Sequence, residues 1–276
     1  MRSLSDHYFL KGLLLPCLVL LVLVSGCGPK DVHQETASVA GQPVLRVGIT
    51  PNARPMSFLE QGNVAGLEAD FARGLAKAIQ RRVRFVQLKW EDQIPALLAG
   101  KTDIIMSAMT ITPARGYRIA FSQPYMVTGQ VSLVRVQDRN RFGTGFTDLL
   151  HPMIKVGVVR STTGDLLISQ RKNSRGIVRY DNADQAVAGL FDKEIDAFVY
   201  DLPMNFYLGA LYGDKGLVPI TTPLSREQLA WGMRKEDAEL LDMANAYLMQ
   251  LRESGRLEQM IVQWIPFYAS VYNTGQ

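Results

Sequence analysis

The sequence predicts an α/β fold made of two lobes, and three observations support this prediction. Short apolar strand patterns alternate with amphipathic helix patterns over residues 45–106, in the order β-α-β-α-β. Connections of this kind imply parallel strands with helices on the faces of the sheet. The same order recurs over residues 154–199. Two further strand-like segments, at 127–136 and 228–233, lead out of the first half and back to it, which predicts a cleft between two lobes.

Local patterns predict each element of the first half. The strands are short and apolar or alternating, and the helices carry apolar stripes at helical spacing. The predicted elements are a strand at 45–50, a helix at 70–80, a strand at 84–88, a helix at 94–99 and a strand at 103–106. Residues 51–66 contain proline and glycine and are assigned to loops, with a hairpin as an option. A short helix should begin at Thr112 and Pro113, because threonine caps helix N-termini and proline suits the first helical position.

The second half repeats this pattern. Its predicted elements are a strand at 154–159, a helix at 166–170, a strand at 176–180, a helix at 183–191 and a strand at 193–199. Both halves open with a basic residue followed by Val-Gly, at Arg46 and Lys155. Two helices with apolar stripes, at 236–252 and 256–264, complete the chain. The two halves therefore look like one architecture used twice.

The start of the chain has the pattern of an exported lipoprotein. Arg2 and Lys11 precede an apolar run at 13–24, which is short for a membrane-spanning helix and suits a signal peptide over residues 1–27. The run ends in Leu-Val-Ser-Gly-Cys, which resembles the lipobox of bacterial lipoproteins and predicts lipidation of Cys27. Ordinary signal cleavage with an incidental cysteine is the alternative. Residues 28–43 are polar and unpatterned, which predicts a flexible tether from the surface of a bacterial membrane, with the protein anchored in the periplasm or at the cell surface.

Composition argues against several classes of function. The formal net charge of +4 is too weak to indicate nucleic acid binding. Only His151 of the three histidines falls in the predicted folded part, and both cysteines belong to the predicted signal segment. A zinc site or a Ser-His-Asp triad is therefore not expected, and neither a metal nor a cofactor is predicted. Catalysis by carboxylates alone stays open.

Polar and aromatic residues follow four of the predicted strands. In open α/β sheets, ligands bind beyond the carboxyl ends of the strands, where helix N-termini attract anions. The candidate binding residues are Trp90, Ser107, Ala108, Thr110, Arg115, Ser161, Thr162, Thr163 and Asp201. An arginine and a hydroxyl-rich helix N-terminus suit a carboxylate, whereas a lone aspartate suits an ammonium group. Together they predict a site for a small zwitterion, although Asp201 alone could be a helix cap and Trp90 alone could be partial core.

From about residue 44 to 268, the chain resembles solute-binding family 3, the periplasmic binding proteins of polar amino acid ABC uptake systems. The motifs that carry the resemblance are Gly66-Leu-Glu-Ala-Asp70-Phe, Ile94-Pro95-Ala-Leu, Gly100-Lys-Thr-Asp103, Met109-Thr-Ile-Thr-Pro-Ala-Arg115 and Phe121-Ser-Gln-Pro-Tyr125. The resemblance implies a Venus-flytrap periplasmic-binding-protein fold of type II, with two mixed sheets joined by two hinge strands. Lobe 1 would comprise residues 44–131 and 222–270, and lobe 2 would comprise residues 132–221.

The resemblance also implies roles for individual residues. Arg115 would hold the α-carboxylate of the ligand with help from Thr110 and Thr163. The carbonyl of Ala108 and the carboxylate of Asp201 would hold the α-ammonium group. These roles belong to the family positions that the five residues match.

The resemblance says less about how the side chain of the ligand is recognised. Trp90 matches the family position that stacks on the ligand side chain. Members that bind lysine or arginine tend to have an acid where this chain has Thr50, and an aromatic residue where it has Ala53. A cationic ligand is therefore less expected.

The predicted function is a monomeric, membrane-tethered receptor that closes on a small amino acid or related zwitterion and delivers it to an ABC permease. One alternative is a cyclohexadienyl dehydratase acting on arogenate or prephenate, an enzyme class that shares this fold. It would need a carboxylic acid in the cleft, for which Glu68 and Asp201 are the candidates. A second alternative is a ligand sensor for a membrane signalling partner.

Overall fold

A computed structural model of the chain describes residues 41–143 and 145–268. These residues belong to one compact unit of the chain. The predicted signal segment, Cys27 and the predicted tether up to residue 40 lie outside the described residues. Within the described ranges, no helix combines the length and the apolar character that crossing a membrane requires.

The strands and helices alternate through most of the described chain. The strands are β1 Val44–Ile49, β2 Asn52–Ala53, β3 Ser57–Glu60, β4 Asn63–Ala65, β5 Arg82–Gln87, β6 Ile104–Ile105, β7 Ala120–Phe121, β8 Met126–Thr128, β9 Gln130–Arg135, β10 Val156–Val159, β11 Ile177–Tyr180, β12 Ala197–Asp201, β13 Leu217–Pro219, β14 Glu227–Leu229 and β15 Gly232–Met233. The α-helices are α1 Leu67–Ala78, α2 Gln93–Leu98, α3 Pro113–Arg118, α4 Phe146–Leu149, α5 Thr163–Ser169, α6 Ala183–Phe191, α7 Leu202–Leu211, α8 Ala238–Glu253 and α9 Arg256–Trp264.

Two five-stranded mixed sheets with the same strand pattern form the framework of the two lobes. The first lobe contains the order β5-β1-β6-β15-β7, and the second lobe contains β11-β10-β12-β9-β13. In each sheet three neighbouring strands are parallel and the last two run antiparallel to their neighbours. This arrangement confirms the predicted α/β class with two mixed sheets.

The repeated sequence pattern has a common structural use. In the first lobe, the backbone N–H of Arg46 donates to Asp103 Oδ2 at 2.8 Å. In the second lobe, the N–H of Lys155 donates to Asp196 Oδ2 at 2.9 Å. Each aspartate lies just before the strand that pairs with the first strand of its sheet, so the side chain ties the two strand entrances together.

Two short strands connect the lobes, as predicted, but the strand boundaries differ from the prediction. The segment predicted as one strand at 127–136 divides at Gly129 into β8 and β9, and the segment at 228–233 divides into β14 and β15. β8 and β14 pair with each other in a separate ribbon, whereas β9 and β15 belong to the two sheets. A Cβ at Gly129 would lie 2.1 Å from the carbonyl oxygen of Ser225, so only glycine fits where the chain changes sheets.

These pairings bear on the lobe boundaries. The predicted boundary between residues 131 and 132 falls inside β9, all of which pairs with the second sheet. We propose that the first crossing ends at Gly129 and that the return crossing begins near Ser225, whose hydroxyl accepts from the N–H of Gln130 at 3.0 Å.

Helix α7 was not predicted. It directly follows β12, and its residues are apolar on most sides, so the sequence lacks the alternation of an amphipathic helix. The buried amide of Asn205 donates to the carbonyls of Val131 and Phe198, which links this helix to β9 and β12. The last strand of the second half was also placed too early, because residues 193–196 precede β12 and Lys193 has a φ of 58°.

Candidate functional site

A cavity of about 540 Å³ lies between the carboxyl ends of strands from both lobes. Eight of the nine candidate residues line it: Trp90, Ser107, Ala108, Thr110, Arg115, Thr162, Thr163 and Asp201. The ninth, Ser161, does not line it, although its backbone carbonyl accepts a hydrogen bond from Trp90 Nε1 at 2.9 Å. This bond joins a residue of the first lobe to a residue of the second.

Arg115 occupies the first turn of α3, where the sequence predicts it. Thr112 is the N-cap, and its side chain accepts from the N–H of Arg115 at 3.2 Å, while Pro113 occupies the first helical position. The guanidinium donates to the carbonyl of Thr110 at 2.9 Å and its carbon lies 5.0 Å from the centre of the Trp90 ring. These contacts fix the guanidinium and leave most of its five N–H groups for a ligand.

Asp201 enters the cavity from the last residue of β12, in the second lobe. It is buried, and Gln130 Nε2 donates to its Oδ1. The pKa of Asp201 is raised to about 7, mainly by burial and also by the charge of Glu227, whereas the Gln130 hydrogen bond and the charge of Arg115 lower it. An ammonium group placed beside this carboxylate would stabilise its charged form.

Glu227 and Gln130 hold residues that line the cavity without lining it themselves, and the sequence analysis missed both. Glu227 lies on the connecting strand β14, accepts from Thr110 Oγ1 at 2.8 Å and from Ser225 Oγ at 2.7 Å. Gln130 donates to Thr163 Oγ1 at 3.1 Å as well as to Asp201. Neither follows a strand of the predicted sheets, so no local signal marks them.

The two threonines at the start of α5 have different roles. Thr162 is the N-cap of α5 and accepts from the N–H of Asp165, and its hydroxyl donates to the carbonyl of Val159 at 2.7 Å. Because its hydroxyl is engaged in the cap, its contribution to a ligand would come through the helix N-terminus. Thr163 lines the cavity with its hydroxyl held by Gln130.

Ser107 and Ala108 form the elbow after β6. The N–H of Thr50 donates to Ser107 Oγ at 2.9 Å, so this hydroxyl positions the neighbouring strand end. Ala108 has a φ of 54°, in the left-handed region that is unfavourable for residues other than glycine. Its N–H donates to Glu68 Oε1 at 2.6 Å, which holds the elbow in this conformation beside the cavity.

Glu68 lies behind the cavity and is not among the residues that line it. The hydroxyl of Tyr125 donates to Oε1 at 2.6 Å, and Trp231 Nε1 donates to Oε2 at 3.2 Å, in addition to the N–H of Ala108. Burial raises the pKa of Glu68 to about 7 against the effect of these three donors. Both carboxylate oxygens are therefore occupied by the protein.

The rest of the cavity wall combines apolar side chains with a set of polar ones, of which Lys89 and Asp181 are charged. The polar members are Thr50, Asn52, Gln87, Lys89, Asp181, Asn182 and Gln185. They too follow the strands β1, β5 and β11, so the rule that places ligands at strand ends could have identified them. In the described ranges, no cluster of three or more His, Cys, Asp or Glu side chains could hold a metal ion.

The sequence matches known families and proteins over most of its length. The pattern of the bacterial extracellular solute-binding proteins, family 3, matches residues 45–267. A probable histidine-binding protein of Neisseria gonorrhoeae is 30% identical over 247 residues, which cover 87% of this chain and 90% of that protein. The L-cystine-binding protein of Escherichia coli K12 is 25% identical over 250 residues, covering 90% and 92%.

Solved structures give the same result. The ancestral amino acid-binding protein that is a precursor of cyclohexadienyl dehydratase is 34% identical, with a TM-score of 0.72, covering 80% of this chain and 95% of that one. The binding component of an ABC transporter from Wolinella succinogenes, complexed with lysine, is 31% identical, with a TM-score of 0.76 and the same coverage. The chain belongs to family 3 of the bacterial extracellular solute-binding proteins.

Proposed function

We propose that this protein binds an amino acid or related zwitterion outside the cytoplasm and delivers it to an ABC permease. The observation that carries the proposal is the presence of Arg115 and Asp201 in one cavity, from different lobes. A guanidinium suits an α-carboxylate, and a buried carboxylate suits an α-ammonium group. Thr110, Thr163 and the carbonyl of Ala108 would complete the contacts.

Because the two charged groups lie on different lobes, a ligand that pairs with both favours the closed arrangement. Closure requires that the ligand bind the closed state more tightly than the open one. Trp90 adds a contact of its own between the lobes through Ser161. We propose that Trp90 lies against the ligand side chain as well as holding this cross-lobe hydrogen bond.

We further propose that the protein acts as a monomer with Cys27 lipidated, so that residues 28–43 tether the binding unit to the outer face of a bacterial membrane. The support is the lipobox-like sequence that ends at this cysteine. The intact mass of the protein extracted from membranes in detergent tests this, since diacylglyceryl modification at Cys27 adds a lipid mass that a Cys27→Ser variant lacks.

Of the two candidate acids for the dehydratase alternative, only Asp201 lines the cavity, and its pKa is raised. Glu68 does not line the cavity. We propose binding without catalysis, because Asp201 faces Arg115, and the pair matches the two charges of an amino acid. Incubation of the purified protein with arogenate or prephenate tests this, and formation of phenylalanine or phenylpyruvate would overturn it.

The sensor alternative would use the same site, and a transport assay in a permease deletion strain distinguishes it.

The binding proposal is tested on Arg115. A thermal-shift panel of the twenty amino acids with the full chain identifies a ligand, since a ligand at about 100 times its Kd stabilises by roughly 2.7 kcal/mol. Arg115→Ala should then weaken that ligand by roughly 100-fold in calorimetry, because a charge-assisted contact is lost and the ligand carboxylate stays buried. Arg118→Ala on the same helix is the matched control and should bind normally. An Arg115→Ala variant with unchanged affinity would overturn the assignment.

A further inference from the structure

A second cavity of about 280 Å³ adjoins the first. Six residues line both cavities: Pro51, Asn52, Leu59, Ala183, Tyr200 and Met204. The two spaces therefore adjoin along this shared wall. The shared walls are mostly apolar, with the Tyr200 ring and the Met204 and Leu59 side chains among them.

The second cavity carries its own arginine, Arg54. Its guanidinium carbon lies 3.5 Å from the centre of the Phe58 ring and 5.8 Å from that of Tyr207, so aromatic rings from both lobes hold it. The nearest acidic oxygen, Glu60 Oε1, is 3.7 Å away and belongs to an exposed side chain. Within the described part of the chain, the Arg54 guanidinium donates no hydrogen bond. A guanidinium stacked in this way keeps its N–H groups in its own plane, where a carboxylate can accept from two of them.

The second cavity also carries an aspartate. Asp184 lies in the first turn of α6 and lines this cavity from the second lobe. No described residue forms a hydrogen bond or an ion pair with its carboxylate. Tyr200, which lines both cavities, is buried, and its hydroxyl makes no hydrogen bond to a described residue. A cation and an anion therefore line this cavity: Arg54, whose only described acidic partner is the exposed Glu60, and Asp184, which is itself exposed.

We propose that the two cavities together bind one elongated ligand with an amino-acid group at each end, a diamino dicarboxylic acid. This inference rests on the proposed function, because Arg115 and Asp201 hold the first end. Arg54 then donates to the second carboxylate, Asp184 accepts from the second ammonium group, and the linker lies along Tyr200, Met204 and Leu59.

The test compares L-cystathionine with L-methionine by calorimetry on the purified full chain. The two molecules share a thioether chain, and only cystathionine has the second amino-acid group. Cystathionine should bind at least 10-fold more tightly than methionine. Arg54→Ala and Asp184→Asn should each reduce this preference to less than 3-fold while leaving methionine affinity unchanged. Arg73→Ala is the matched control, because Arg73 also lies over an aromatic ring, Phe85 at 5.3 Å, and lines neither cavity.

The outcomes separate this inference from the proposed function. A protein that binds single amino acids, and binds cystathionine no more tightly than methionine, overturns the two-ended ligand and leaves the proposed function in place. Equal losses for both ligands in Arg54→Ala and Asp184→Asn would show a structural role only and would overturn it as well. Binding of neither cystathionine nor any of the twenty amino acids would overturn both proposals.

Discussion

Glu68 and Asp201 are two buried carboxylates with similar pKa values and different surroundings. Burial raises both to about 7. Glu68 lies within the first lobe and receives three donors, from Ala108, Tyr125 and Trp231. Asp201 lines the cavity and receives one side-chain donor, from Gln130. Burial alone therefore does not distinguish a structural carboxylate from one that is available to a ligand.

Glu68 and Asp201 differ in which groups their hydrogen-bond acceptor sites face. Ionised carboxylates accept about four hydrogen bonds, and those of Glu68 are directed to groups of the protein core. Asp201 retains free acceptor sites. One of its charged neighbours, Arg115, is positive and the other, Glu227, is negative. Glu68 should therefore act on folding, whereas Asp201 should act on binding. Three predictions test this contrast, beginning with the largest effect.

Replacing Glu68 by alanine should lower the free energy of unfolding by roughly 3–5 kcal/mol. Three buried donors would lose their acceptor and a void would form beside Phe71, Tyr125 and Trp231. Urea unfolding followed by tryptophan fluorescence measures the change. Glu68→Gln keeps one acceptor oxygen and should lose less stability while retaining amino acid affinity. If Glu68→Gln lost amino acid affinity with unchanged stability, Glu68 would act on binding, which contradicts the folding role given to it here.

Replacing Asp201 by asparagine should weaken the amino acid ligand by roughly 10- to 100-fold, because the ammonium loses a charged acceptor. The same variant should stabilise the unliganded protein above pH 7. The folded-state pKa of Asp201 is about 7, above its ordinary value of 3.8, so its contribution to stability is complete below about pH 4 and is lost as pH rises through 7. Calorimetric Tm values at pH 8 should therefore rise by a few degrees. A lower Tm with normal affinity would contradict the binding role.

The smallest effect concerns the pH dependence of affinity. Binding of an ammonium group requires ionised Asp201, so affinity should fall as pH decreases below about 7, by at most about tenfold per pH unit. Glu227→Gln removes the negative charge that raises this pKa, and the midpoint should move to lower pH, with little change in affinity at pH 8. Glu68→Gln should leave the midpoint unchanged. If Glu68→Gln shifted the midpoint of the affinity curve and Glu227→Gln did not, the titrating group would be Glu68, which contradicts the role given to Asp201.

The sequence predicted those features that depend on neighbouring residues. The helices Ala183–Phe191 and Arg256–Trp264 begin and end where their patterns predicted, and Thr112 caps α3 as expected. The repeated strand order and the polar residues that follow the strands also predicted the two sheets and eight of the residues that line the cavity. These features follow from periodicity, capping and the geometry of parallel sheets, all of which are readable over short stretches.

Only the tertiary structure decided how distant residues meet. Gln130 reaches Asp201 across 71 positions of sequence, and Thr110 reaches Glu227 across 117. The division of one predicted strand at Gly129 depends on the approach of Ser225, and the position of Arg54 depends on rings of Phe58 and Tyr207. The physical reason is that burial and long-range contact, not local pattern, determine which polar groups are satisfied by the protein and which stay available to a ligand.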